Sequence, residues 1–228
     1  LSPSSRAGLE AVRERIARAC GRSGRDPEDV RLVAVSKKFP ADRVRELLDA
    51  GHTLFGENRV QEALAKIPEV GPGAVWHLVG SLQRNKARHV VGVFELIHSL
   101  DGEKLAVELD RRAGAAGRRQ AVLVQLNLAG ESTKSGVSEA GLRPLVESVA
   151  ALDHLDLRGL MTIPPPVARA EESRRWFARL RELRDEVAQR LGRPLPELSM
   201  GMTDDFEVAV EEGATLVRIG RAIFGERD

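Results

Sequence analysis

The chain has 228 residues, of which 42% are hydrophobic and 30% charged, with a formal net charge of +1. These totals suit an ordinary globular α/β protein and supply no global field for nucleic acid or an acidic membrane. One cysteine, Cys20, excludes a disulfide framework and suits a reducing, cytoplasmic setting, while no run is long enough to span a bilayer and Glu10, Arg13, Glu14 and Arg15 interrupt any signal peptide.

The first pattern along the chain is helical. Leu9, Val12, Ile16 and Ala19, between Ser4-Ser5 and Gly21, predict a helix over 6–20 ahead of any strand. An apolar run then ends in Val33-Ala34-Val35-Ser36-Lys37-Lys38 and predicts a buried strand over 31–36. An amine at the end of such a strand is costly unless it has a task or a partner. A lysine that loses basicity there forms Schiff bases with aldehydes; the alternative is a lysine in solvent.

Pro40 opens a helix to Leu48, closed by Gly51. A short strand over 53–55 runs into Gly56-Glu57-Asn58, and the next helix carries Val60, Ala63, Leu64 and Ile67 on one face. Strands follow over 75–79 and 94–99, separated by a loop with Arg84, Lys86, Arg88 and His89 that reads as a solvated basic face. Asp101 is placed to cap the helix behind the fourth strand. The fifth strand, over 121–128, precedes a loop over 129–137 and a helix from Ser138. The sixth, over 157–163, stops at Pro164-Pro165-Pro166 and leads into a long amphipathic helix over 170–191. A seventh strand over 198–200, a helix opened by an Asp204/Glu207 capping box, and an eighth strand over 215–219 complete the pattern.

Eight strands alternating with helices, without a linker, predict one closed (β/α)8 barrel domain of the TIM type over residues 1–228. The extra N-terminal helix is expected to cover the gap beside strand eight. An open doubly wound sheet is the alternative, weakened because no glycine-rich turn follows strand one.

Polar residues gather where the strands end. Lys37, Asn58, His77, Ser99, Asn127, Met161-Thr162, Ser199-Met200-Gly201 and Arg218-Ile219-Gly220 stand at or near the ends of strands one to eight. In a parallel barrel these ends share one mouth, the one that carries ligand sites. Gly201, Gly220 and the turn begun by Arg221 suit a phosphate, whereas Asp204 and Asp205 disfavour one after strand seven. An aldehyde-reactive lysine across the barrel from a phosphate seat points to pyridoxal 5′-phosphate.

The chain resembles a known family over nearly its whole length. The runs that carry the likeness are Ala34-Val35-Ser36-Lys37, Phe55-Gly56-Glu57-Asn58, Trp76-His77, Gly80-Ser81-Leu82-Gln83, Lys134-Ser135-Gly136, Arg158-Gly159-Leu160-Met161, Leu198-Ser199-Met200-Gly201-Met202 and Val217-Arg218-Ile219-Gly220. They resemble the pyridoxal phosphate homeostasis proteins of the YggS/PROSC type, built on the barrel of the alanine racemase N-terminal domain. The resemblance implies that Lys37 holds the cofactor as a Schiff base. It further implies that Arg218 faces the pyridine nitrogen, that Ser199, Gly201 and Gly220 seat the phosphate, and that Asn58 lies by the ring hydroxyl. His77, Met161 and Met200 complete the expected surroundings. Arg221 departs from the pattern, standing where many relatives carry a hydroxyl that reaches the phosphate.

The family role implied is buffering or delivery of the cofactor, as a cytoplasmic monomer that meets pyridoxal-phosphate-dependent apo-enzymes transiently, with no catalytic residues, no metal and no nucleic acid. A racemase-like enzyme and a barrel that binds phosphate without the cofactor are the alternatives. Against a racemase, the sequence contains no tyrosine and no second domain is expected. Arg218 can only donate, which keeps the pyridine nitrogen unprotonated and weakens the ring as an electron sink. His77 remains available as a base in this reading, and Lys134 is placed to help capture or release the cofactor.

Overall fold

Eight parallel strands close into a barrel in sequence order. The structure, a computed structural model, describes residues 5–131 and 133–225; Ser4, read as flanking the first helix, lies outside them. The strands are β1 (Arg31–Val35), β2 (Leu54–Glu57), β3 (Val75–Leu78), β4 (Leu96–Leu100), β5 (Gln120–Leu126), β6 (Leu155–Thr162), β7 (Glu197–Ser199) and β8 (Leu216–Ile219). The helices are α1 (Ser5–Ser23), α2 (Ala41–Asp49), α3 (Val60–Val70), α4 (Glu103–Ala115), α5 (Glu139–Ala150), α6 (Arg174–Leu191), α7 (Phe206–Glu211) and α8 (Arg221–Phe224). The basic run between β3 and β4 is a 3-10 turn, Arg84–His89. The β1–β8 seam sets Val33 beside Arg218 and Ala34 beside Ile219.

Strand alternation sorts the side chains into two layers. Val33, Val35, Val79, Leu96, Leu123, Met161 and Leu216 fill the lumen. Their neighbours, among them Ala34, Phe55, Leu78, Leu198 and Val217, face outward into the core under the helices. The lumen is therefore packed rather than open, and only its ends can hold a ligand.

The N-terminal helix does cover the region beside β8. Leu9, Val12, Ile16 and Ala19 of α1 are buried, and the helix lies against α2, α7 and α8. Gly8 allows the closest approach: a Cβ there would come within 2.6 Å of the Ile223 carbonyl oxygen. Arg15 fixes the crossing by donating to both oxygens of Glu207 at 2.7 and 2.9 Å.

Two expected helix caps are not formed. Gly102, not Asp101, occupies the N-cap of α4, without a side-chain bond. Asp205, not Asp204, precedes α7, and its carboxylate accepts from the Met202 N–H at 2.8 Å, while Glu207 is taken by Arg15. At α7 the capping glutamate is taken by a tertiary partner, Arg15 of α1, and the local box does not form. The helix expected over 170–191 opens as a 3-10 turn, Ala170–Ser173, before α6. Among the described residues no helix is long and apolar enough to cross a membrane.

Candidate functional site

The turn that ends β1 is held from behind. The Phe39 N–H donates to the Ser36 carbonyl at 3.0 Å, and Lys38 sits at φ 66, a left-handed conformation costly for a residue with a Cβ. The opposing hold comes from the outer layer. Ser36 Oγ donates to Glu57 Oε1 at 2.7 Å, and Lys66 Nζ donates to the same oxygen at 2.5 Å and to the Ser36 carbonyl at 2.8 Å. The Lys38 N–H donates to Glu62. Burial pushes the Glu57 carboxyl upward in pKa, against the Lys66 and Ser36 contacts. With Ser36 pinned outward, Lys37 falls on the inward face with Val33 and Val35, half-buried, and Lys38 is exposed.

Lys37 lines a cleft of about 220 Å³ at the C-terminal mouth. Asn58, Arg218, Gly220 and Arg221 line it too, so five of the ten expected site residues meet there. Val35, Val79 and Ile163 form its apolar wall, and Met202, Thr203 and Asp204 close the side after β7. Lys37 and Gly220 follow the ends of adjoining strands, since β8 pairs with β1; the expected placement across the barrel is corrected by that closure. Close backbone approach needs glycine at the rim: a Cβ on Gly80 would lie 2.2 Å from the Asn58 carbonyl oxygen. The Arg221 guanidinium donates to Asp204.

A polar column lies beneath the cleft. Arg218 is 4% exposed; it donates to Ser199 Oγ at 2.5 Å and to the Thr162 carbonyl at 2.9 Å. Ser199 Oγ is 2.8 Å from His98 Nδ1, and His98 Nε2 is 3.0 Å from His77 Nδ1. Burial lowers the His77 pKa to about 3, helped by Arg31. It also holds His98 well below the usual range, with His77, Arg218 and Arg31 adding to the effect. Both rings are neutral at neutral pH. Burial also brings Arg218 down to about 10, partly offset by Asp205, so the guanidinium stays charged.

The column revises how five expected site residues are placed. Ser199 is fully buried, and its hydroxyl is occupied by Arg218 and His98 rather than turned to the cleft. His77 is sealed in the lumen below. Met161 packs in the inner apolar layer, whereas Met200 turns outward into the core under the helices, because one residue along a strand reverses the face. Gly201, at φ 91, is pressed against Phe206 and Ala209, and its carbonyl accepts from the Arg218 N–H at 3.0 Å. The expected site included neither His98 nor Lys66, while Asp204, read as disfavouring a phosphate after strand seven, does line the cleft; the alternation Leu96, His98 was the available signal for the first.

Other features organise the surroundings. Asn127 Nδ2 donates to the Glu131 carbonyl at 2.7 Å, holding the loop after β5, and Lys134 Nζ donates to the Pro164 carbonyl at 3.1 Å. A larger hollow of about 500 Å³ opens at the opposite mouth, between α1 and the starts of β1 and β2. That end of a parallel barrel serves stability. Among the described residues no group of His, Cys, Asp or Glu is arranged to hold a metal.

The alanine racemase N-terminal domain model matches residues 8–228. The chain is 46% identical to the pyridoxal phosphate homeostasis protein of Aquifex aeolicus, over 96% of each chain. The solved structure of PipY of Synechococcus elongatus with pyridoxal phosphate bound matches with a TM-score of 0.82 at 42% identity, covering 92% of this chain and all of that one. A Clostridium difficile alanine racemase, at 16% identity and a TM-score of 0.73, shares the fold.

Proposed function

The chain belongs to the pyridoxal phosphate homeostasis proteins, within the alanine racemase N-terminal domain family, and from that premise we propose that it holds pyridoxal 5′-phosphate reversibly in the cleft at Lys37. The observation that carries the reading is that Lys37 and the buried Arg218 line the same small cleft. The donor set fits the cofactor. One ammonium, two guanidiniums and an amide face a single carboxylate, Asp204, and so favour an anionic ligand. Gly220 keeps the backbone open beside Val35, where a Cβ would sit 3.1 Å from the Val35 carbonyl oxygen.

Bound there, the cofactor supplies an aldehyde and an electron-accepting ring. Lys37 is the covalent tether, aimed by the Ser36–Glu57–Lys66 network behind it. Arg218 would donate to the ring nitrogen and keep it unprotonated, the state that least favours carbanion chemistry. Asn58 serves the ring hydroxyl, while the Gly220 backbone and the Arg221 guanidinium serve the phosphate. His77 is sealed away from the cleft and the sequence has no tyrosine, so this chain lacks the paired acid and base of a racemase. The role that follows is a non-catalytic carrier, monomeric and cytoplasmic, delivering cofactor to apo-enzymes. The lone buried thiol, Cys20, accords with that setting.

Borohydride reduction of the loaded protein followed by peptide mass mapping tests the site. A phosphopyridoxyl group on Lys37 is expected; one on Lys38 or Lys134 instead overturns the assignment. Isotope exchange at the Cα of an amino acid would favour the racemase reading.

A further inference from the structure

The buried column below Arg218 has a fixed donor direction. A guanidinium only donates, so Ser199 Oγ accepts from Arg218 at 2.5 Å. Its own proton then has one acceptor within reach among the described residues, His98 Nδ1 at 2.8 Å. That assigns the proton of His98 to Nε2, which donates to His77 Nδ1 at 3.0 Å. The proton of His77 therefore sits on Nε2. This atom lies 3.5 Å from Glu95 Oε1 without a formed hydrogen bond. The reverse direction fails at both ends: the Ser199 proton would have no acceptor, and a His77 lone pair would face the Glu95 carboxylate.

We propose that His98, backed by His77, is a positioning residue for the cofactor contact of Arg218. By taking the Ser199 proton, His98 turns a Ser199 lone pair toward the guanidinium and fixes its rotation. The Thr162 carbonyl holds the second guanidinium nitrogen at 2.9 Å. With those two contacts made, the remaining guanidinium donors are free for a ligand in the cleft that Arg218 lines. Ser199 then acts through Arg218 and is not itself a phosphate contact. Neutral partners suit this task. A carboxylate in place of Ser199 would pull the guanidinium charge down into the lumen, whereas a hydroxyl backed by imidazole orients it without competing for it.

The proposal rests on Arg218 facing the cofactor ring, and its test separates the two. Nitrogen-15 NMR of the cofactor-free protein reads the tautomers directly: His98 and His77 both protonated on Nε2 are expected, and Nδ1 protonation of His98 overturns the column whatever binds above it. Pyridoxal phosphate titration of His98→Leu, His98→Asn and Ser199→Ala reads the consequence. The Asn side chain can place an acceptor near the former Nδ1. His98→Leu and Ser199→Ala are expected to weaken binding about tenfold, the scale of one hydrogen bond to a charged group, and to shift the ring nitrogen-15 signal of labelled cofactor. His98→Asn is expected to recover most of the loss. Wild-type affinity and ring signal in His98→Leu, or an equal loss in His98→Asn, overturn a positioning role. If His98→Leu does not fold, Ser199→Ala decides alone, since it removes the link with little change of volume. Failure of the wild-type protein to bind the cofactor would sink the proposed function while leaving the tautomer result intact.

Discussion

Lys66 Nζ lies 2.5 Å from Glu57 Oε1 and 2.8 Å from the carbonyl of Ser36, the residue that precedes Lys37. The pair is buried, with the Lys66 and Glu57 side chains 7% and 0% exposed. A buried pair returns little beyond its own desolvation, yet breaking it leaves one charge stranded. Its geometry therefore serves to hold the β1 turn. Lys66→Met is expected to destabilise the fold by about 3–5 kcal/mol in urea denaturation, and Glu57→Gln by less because the amide still accepts from Ser36. The double variant Glu57→Leu with Lys66→Met should cost less than Lys66→Met alone. A loss under about 1 kcal/mol for Lys66→Met would show that the pair does not carry the turn.

Asp204 and Arg221 are paired at the rim of the cleft, with side chains 79% and 49% exposed. A bound phosphate must compete with Asp204 for that guanidinium. Exposed pairs are worth at most about 1 kcal/mol, so Asp204→Asn should tighten pyridoxal phosphate binding by no more than about fivefold. Arg221→Ala should loosen it. Fluorescence titration at low and high salt measures both, and the gain from Asp204→Asn should shrink as salt rises. Weaker binding by Asp204→Asn at low salt would mean that Asp204 supports the phosphate seat instead.

Acid should unfold the protein partly through its buried imidazoles. Burial lowers His52 to about 4 and His77 to about 3, from an ordinary 6.5. Because these folded-state values lie below the unfolded one, the unfolded chain takes up the protons first. Stability is then full above pH 6.5 and is lost as pH falls toward the folded-state values, by up to about 1.4 kcal/mol per pH unit for each group. Urea midpoints at neutral and mildly acidic pH should separate accordingly, and His52→Gln should narrow the gap. A gap unchanged by His52→Gln would remove that histidine from the account.

Gly8 tests the closing helix. An added Cβ would lie 2.6 Å from the Ile223 carbonyl oxygen and 2.7 Å from that of Ala222. Alanine gains about 1 kcal/mol in helix propensity but forces α1 off α8, so Gly8→Ala should cost about 1–3 kcal/mol net. A stabilised Gly8→Ala protein would show that α1 is not seated against α8.

The barrel was legible in the sequence because each strand is buried on both faces and each helix carries a stripe, patterns that need only local spacing to read. Lys37 was legible as a strand-end amine, and the family resemblance singled it out from Lys38, in keeping with its alternation with Val33 and Val35. Arg218 and Gly220 were legible at the end of the eighth strand, and the resemblance supplied their roles. Tertiary structure alone decided what each polar group touches. Asp101 and Asp204 carry good capping chemistry, but the chain supplies Gly102 and Asp205 at the helix starts instead. Ser199 and Met200 are neighbours in sequence; one meets Arg218 in the lumen and the other packs under the helices. The joining of His98 to Ser199 spans 101 positions. No local pattern encodes it, because a hydrogen bond in a closed barrel depends on strand register and tilt, which exist only once all eight strands have met.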